Sequence, residues 1–156
     1  MSKLLESGDL QHHIYKNLQP TYARRFQILL SAMQRHLVPL GVTLPQTHRD
    51  VMGGYFVWLS LPSPLKADNL ALRAREEENV IIASGPLFGV FGDTAVVDLD
   101  AKVRICFSWE EEDRLVEGVE RLERVIRQML MEVRNDQGDG AKSAIHPDIE
   151  IVDSCR

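Results

Sequence analysis

A chain of 156 residues, 44% hydrophobic and 26% charged, is the size of one domain with a single modest core. Its net charge of −5 excludes a general nucleic-acid surface, which needs an excess of Lys and Arg to neutralise phosphates. Cys106 and Cys155 give neither a disulfide framework nor a metal spacing, and no apolar run resembles a secretory signal or could span a bilayer.

These features predict a reducing, cytoplasmic setting with no nucleic-acid and no membrane partner. The local basic groups, Arg24-Arg25 and Arg121 to Arg127, have acids mixed in or close by. They read as solvated helix faces.

In chain order, Leu10, Ile14, Leu18, Tyr22, Phe26, Leu30, Met33 and Leu37 recur at helical spacing. Pro20 interrupts the stripe and either opens a helix or kinks a longer one. The reading is a helix over 20–38 with a looser helical lead-in over 1–19, stopped by Pro39 and Gly41. Residues 42–44 predict a short strand, and 45–50 a polar loop. Residues 53–61, rich in aromatic and branched side chains and ended by Pro62 and Pro64, predict the strongest strand. Gly53 and Gly54 at its entry suit close approach or a positive φ.

A helix is expected over 67–78 with Leu70 and Ala74 inward, then a strand over 80–83. Residues 84–102 read as a long loop with room for a short turn. The third strand spans 103–108. Ser108-Trp109-Glu110-Glu111 has the form of a capping box, opening a helix with Leu115, Val119, Leu122, Ile126, Met129 and Val133 on one face. It should end near Arg134, with Asn135, Gly138 and Gly140 starting a weakly ordered tail over 135–156. The sum is α+β: a two-layer sandwich, a small sheet of three to four strands with helices on one face.

Alternation in the third strand puts Val103, Ile105 and Phe107 on the core face and Arg104, Cys106 and Ser108 on the other. Arg104 is then a permanent cation on a rigid strand, with a planar fork of donors that suits a carboxylate. The pattern leaves a second reading open, in which Arg104 pairs with Asp98 or Asp100. His12 and His13 are adjacent and so diverge on a helix. His36, His48 and His146 have no ligand spacing with a cysteine and read as surface residues.

Several segments together resemble the C-terminal small domain of class I/II (fold-type I) pyridoxal-phosphate-dependent aminotransferases. They are Gly53-Gly54-Tyr55-Phe56-Val57-Trp58-Leu59 with Leu61-Pro62, Glu76 to Phe88 with Ser84-Gly85-Pro86-Leu87-Phe88 at its end, and Val103-Arg104-Ile105-Cys106-Phe107-Ser108 with its Glu-rich helix. Tyr22-Ala23-Arg24-Arg25 sits like the helix that enters that domain. The match covers roughly residues 10 to 134, toward the aminoadipate, kynurenine and aromatic aminotransferase branch.

The resemblance implies that 20–134 is the small domain and that Arg104 binds the α-carboxylate of an amino-acid or 2-oxo-acid substrate. It also implies that Ser84, Gly85 and Phe88 lie on the loop at the substrate mouth, where a plain turn with a packed aromatic is the competing reading. Tyr55, Phe56 and Trp58 read as core or inter-domain packing. The family's cofactor is pyridoxal phosphate, held by a lysine in a Ser-x-x-Lys segment before Pro-Gly-x-Arg. Lys3, Lys16, Lys66, Lys102 and Lys142 have no such context.

The expectation is therefore a chain that does not hold the cofactor or transaminate alone. Its partners would be a separately encoded large domain, a full-length aminotransferase or a second copy of itself. A non-catalytic binding module derived from an aminotransferase is the alternative. A divergent cofactor-free enzyme, resting on Arg104, Cys106 and Ser108, is the third reading.

Overall fold

The computed structural model describes residues 6–45, 54–90, 92 and 98–142. Most of the expected 45–50 loop, Gly53, His48, residues 93–97 of the long loop and the tail from 143 onward lie outside them.

A short helix, α1 (Asp9–His13), runs through a π-helical turn (Ile14–Leu18) into α2 (Gln19–His36). The wide turn suits Pro20, which lacks the N–H of a regular turn and would crowd the carbonyl four residues earlier. The Gln19 amide reaches back to the Ile14 carbonyl, one residue further than an α-helical bond. Phe26, Leu29, Ala32 and Met33 of α2 are buried, whereas α1 buries nothing. The predicted stripe meets a core only from Tyr22 onward.

β1 (Phe56–Ser60), β2 (Ala83–Ser84) and β3 (Lys102–Cys106) form an antiparallel sheet in the order β1-β3-β2. Gly54 enters β1 with φ +89°, a backbone setting that a side chain would oppose. The expected strand at 42–44 shrinks to a single bridge between Thr43 and Ser60. α3 (Ala67–Glu78) and the long α4 (Glu112–Lys142) complete the fold.

The helices pack on one another and bury one face of the sheet. Val57, Leu59, Val103 and Ile105, then Phe107, join Leu70, Ala74, Leu115, Val119, Leu122, Val125 and Ile126 in one core. This is the expected α+β two-layer arrangement.

Three boundaries differ from the sequence reading, each for a local reason. The ladder of β2 begins at Ala83 instead of Val80. Asn79 takes a left-handed φ of 52°, and the Val80 amide bonds back to the Ala74 carbonyl at 2.8 Å, which folds the chain over the last turn of the helix and satisfies one of its end carbonyls. Chain tied to the helix end in this way is late to join the sheet.

α4 begins at Glu112, not beside Ser108, and its first turn is closed by the Leu115 amide on the Glu111 carbonyl at 3.0 Å. The Ser108 carbonyl instead accepts a hydrogen bond from Arg25, and its hydroxyl lies 3.2 Å from Cys106 Sγ. At its far end α4 passes Arg134 and continues to Lys142. Asn, Asp and Gly are weak in a helix but not forbidden, and no proline stops a helix already anchored by its buried stripe.

Candidate functional site

The sheet has one covered face and one open face, and the register decides what stands on each. Residues directly opposite one another in neighbouring strands share a face. Trp58 pairs with Arg104, Phe56 with Cys106 and Ala83 with Arg104. The side away from the helices therefore gathers Phe56, Trp58, Arg104 and Cys106. Its aromatic residues are unusually exposed for their size: Phe56 43% and Trp58 36%.

Arg104, at the middle of the central strand, is half-buried among rings. Its guanidinium carbon lies 4.0 Å from the centroid of Phe56 and 4.1 Å from that of Phe88. Phe56 comes from β1. Phe88 comes from the 3₁₀ turn Gly85–Phe88 that follows β2, on the far side of β3. Trp58 meets Phe88 edge to face at 5.2 Å, and Tyr55 meets Tyr22 of α2 at 5.1 Å.

The competing reading of Arg104, an ion pair with a nearby aspartate, does not match the contacts. Asp100 is taken by Lys66, Nζ to Oδ2 2.9 Å, and the hydrogen bond to Asp100 is what chiefly holds the Lys66 ammonium above its usual pKa. Asp98 Oδ1 accepts the Asp100 amide at 3.2 Å. Among the described residues Arg104 has no carboxylate partner. It is a cation held by aromatic rings, with no acid assigned to its donors.

The other predicted site residues divide. Phe88 reaches Arg104. Ser84 does not: it pairs with Val103, shares that residue's covered face and is only 3% exposed. The sequence reads it as the start of a loop; in the folded chain it closes the β2 ladder, and the alternation of faces along the strand turns it inward beside Val103.

Gly85 is buried at the entry of the 3₁₀ turn. A Cβ there would stand 2.2 Å from the Leu99 carbonyl oxygen and 2.9 Å from Lys102. Its hydrogen side chain is what lets the turn bring Phe88 over the sheet. Phe56 is the residue that sequence reasoning placed among packing aromatics and not at the site. Alternation alone shows that Phe56 and Trp58 share a face, but only the pairing of β1 with β3 puts that face beside Arg104.

No family model matches the chain. It is 30% identical over 115 residues to the 2-aminoadipate transaminase of Thermus thermophilus, covering 74% of this chain and 26% of that protein. It is 31% identical over 120 residues to an uncharacterized protein of Saccharomyces cerevisiae, covering 77% of this chain and 26% of the other. Among solved structures it is similar to the multiple substrate aminotransferase of Thermococcus profundus, with TM-score 0.70, 28% identity and coverage of 83% of this chain and 29% of that one. The kynurenine aminotransferase of Pyrococcus horikoshii, solved in complex with PMP, gives TM-score 0.69 and 26% identity over 82% of this chain and 29% of its own.

Sequence and fold agree on one region of these proteins. In sequence and fold the chain resembles the C-terminal small domain of the class I/II (fold-type I) aminotransferases. It spans between a quarter and a third of the length of the relatives it matches. No helix among the described residues is long and apolar enough to cross a membrane.

Proposed function

We propose that this chain is the substrate-carboxylate half of an aminotransferase site, with residues 20–134 as the small domain and Arg104 as its anion reader. The observation behind this is a guanidinium set in the central strand of an open sheet face, held by rings, while the nearby aspartates are engaged elsewhere. A planar donor fork of this kind takes a carboxylate through two parallel charge-assisted hydrogen bonds. In this reading the ligand is an amino acid or its 2-oxo acid, and the reaction of the complete site moves an amino group between the two. Phe88 and Phe56 flank the acid group, and Gly85 serves the turn that delivers Phe88.

The family's cofactor, pyridoxal phosphate, supplies an aldehyde and an electron-accepting ring when bound. The donors described here do not fit it. The Lys66 ammonium is bonded to Asp100 and that of Lys102 to Ser60 Oγ, while Lys16 sits on the exposed π-helical turn. The share of the chemistry assigned to this chain is recognition alone. The apolar open face, with Leu87 and Val90 exposed on the turn beside it, suits a covering partner, such as a separately encoded large domain, a full-length aminotransferase or a second copy. That exposure favours the alternative of a non-catalytic interaction module to the same degree.

Two measurements on the purified chain test the reading. Titration with pyruvate and 2-oxoglutarate, followed by amide chemical shifts, should give saturable binding in the range of about 1 mM expected of one good ion pair. The shifts should centre on residues 56–58, 88 and 104 and vanish in Arg104→Ala. Equal binding by that variant would contradict the assignment. Mixing with pyridoxal phosphate, reducing with borohydride and weighing the intact chain should leave no stoichiometric adduct on a single lysine. Such an adduct would return catalysis to this chain.

A further inference from the structure

We infer that Phe56 and Phe88 are positioning residues for Arg104, a pair of rings that holds the guanidinium so that its N–H edge, and not its flat face, meets the ligand. This deepens the carboxylate reading of Arg104 and rests on it.

Three observations lead there. First, both rings stand at contact distance from the same guanidinium carbon, 4.0 and 4.1 Å, close enough for cation–π attraction from each. Second, the rings arrive from different elements flanking β3, one from β1 and one from the turn after β2. Together they restrain a long side chain that would otherwise sample many rotamers. Third, both rings are themselves partly in solvent, at 43% and 37% exposed, and Phe88 is braced by Trp58 at 5.2 Å. Rings placed only to fill the core would lie on the other face, among Val57, Leu59 and Val103.

The chemical consequence is directional. A guanidinium whose faces are against aromatic rings keeps its donors for ligands lying in its own plane. Two in-plane oxygens of a carboxylate satisfy that geometry. Rings against the faces of such an ion displace water there, which strengthens the hydrogen bonds made at its edge. An arginine free to swing would bind the same acid with a larger loss of side-chain freedom.

The test compares the full chain with Phe56→Leu, Phe88→Leu, the double Leu variant, and the ring-preserving Phe56→Tyr and Phe88→Tyr. The probes are the Arg104 Nε–Hε and side-chain CH₂ resonances without ligand, then titration with pyruvate. In the parent chain the Arg104 CH₂ protons should be displaced by ring currents and its Nε–Hε should be sharp. Both signatures should collapse in the double Leu variant and persist with tyrosine. Each single Leu variant should weaken pyruvate binding by about three- to thirty-fold, as loss of one cation–π contact implies, and tyrosine should restore it.

Amide spectra report folding, which leucine at two exposed positions should leave intact. If the double Leu variant keeps both the parent Arg104 spectrum and the parent affinity, the inference is wrong. If the parent chain shows the ring-shifted, ordered arginine but binds no carboxylate, the clamp stands and the ligand assignment fails.

Discussion

The two faces of the small sheet make opposite use of similar residue types. On the covered side Val57, Leu59, Val103 and Ile105 meet three helices and are almost wholly removed from water. There, apolar area supplies stability. On the open side Phe56, Trp58 and Phe88 remain about two-fifths exposed and gather around one cation. Aromatic residues so exposed add little to the core, and their placement makes sense as preparation for a ligand or a covering partner. The contrast teaches that stability and recognition are separated here by the two-residue period of one strand. Val103 and Ile105 hold the fold, and Arg104 between them faces outward.

The largest expected effect lies on the covered side. Met33→Ala or Leu70→Ala, each at a nearly inaccessible position, should cost about 2–5 kcal/mol in chemical denaturation, because a cavity adds to the lost transfer energy. A change below 1 kcal/mol at both positions would mean that this core is not the stabilising one.

Gly85→Ala tests the joint between the faces. With a Cβ forced onto the Leu99 carbonyl, it should lose roughly 1–3 kcal/mol through overpacking, and it should also disturb the ring-shifted signals of Arg104. Stability lost without any change at Arg104 would uncouple the turn from the site.

Trp58→Ala sharpens the comparison from the open side. Removal of its edge contact with Phe88 should cost only about 0.5–1.5 kcal/mol, less than either core variant, while loosening Phe88.

The smallest effect is electrostatic and belongs to the helical layer. Hydrogen bonds from Arg124 to Glu78, from Arg73 to Glu132, and from Arg127 and then His36 to Glu123 hold these three carboxyls below their ordinary 4.5. A carboxyl with a lowered folded pKa gives stability that is present above its ordinary value and is lost as pH falls through the folded one. Unfolding midpoints should therefore decline gently below about pH 4.5, and Arg124→Gln should flatten part of that slope. All three are solvent-facing pairs, so salt should reduce the effect. A midpoint indifferent to pH between 5 and 3 would remove these pairs from the account.

Much of this division was legible in the chain itself. The alternation around Val103-Arg104-Ile105 assigned the two faces, and the heptad-like stripe from Leu115 to Met129 marked the side of α4 that is buried. What could not be read was pairing. No local signal says that Trp58 stands opposite Arg104, that Lys66 occupies Asp100 from 34 residues away, or that Phe88 swings over the sheet from the far side. Ser84 reads as loop in the sequence, whereas the chain turned back at Asn79 and Val80 joins the sheet only at Ala83–Ser84, where pairing with Val103 buries it. Ser108 looked like a cap because its pattern suited one. The folded chain instead uses its carbonyl to receive Arg25, which lies 83 residues away.

The most direct measurement compares Arg104→Ala with Val103→Ala, adjacent on one strand but facing opposite sides, for both denaturation midpoint and pyruvate binding by calorimetry. A crossed outcome is expected: Arg104→Ala stays folded and loses binding, with stability lowered by about 1–2 kcal/mol for its two solvent-facing cation–π contacts, and Val103→Ala loses more stability while still binding pyruvate. A stably folded Arg104→Ala protein with parent affinity would contradict it.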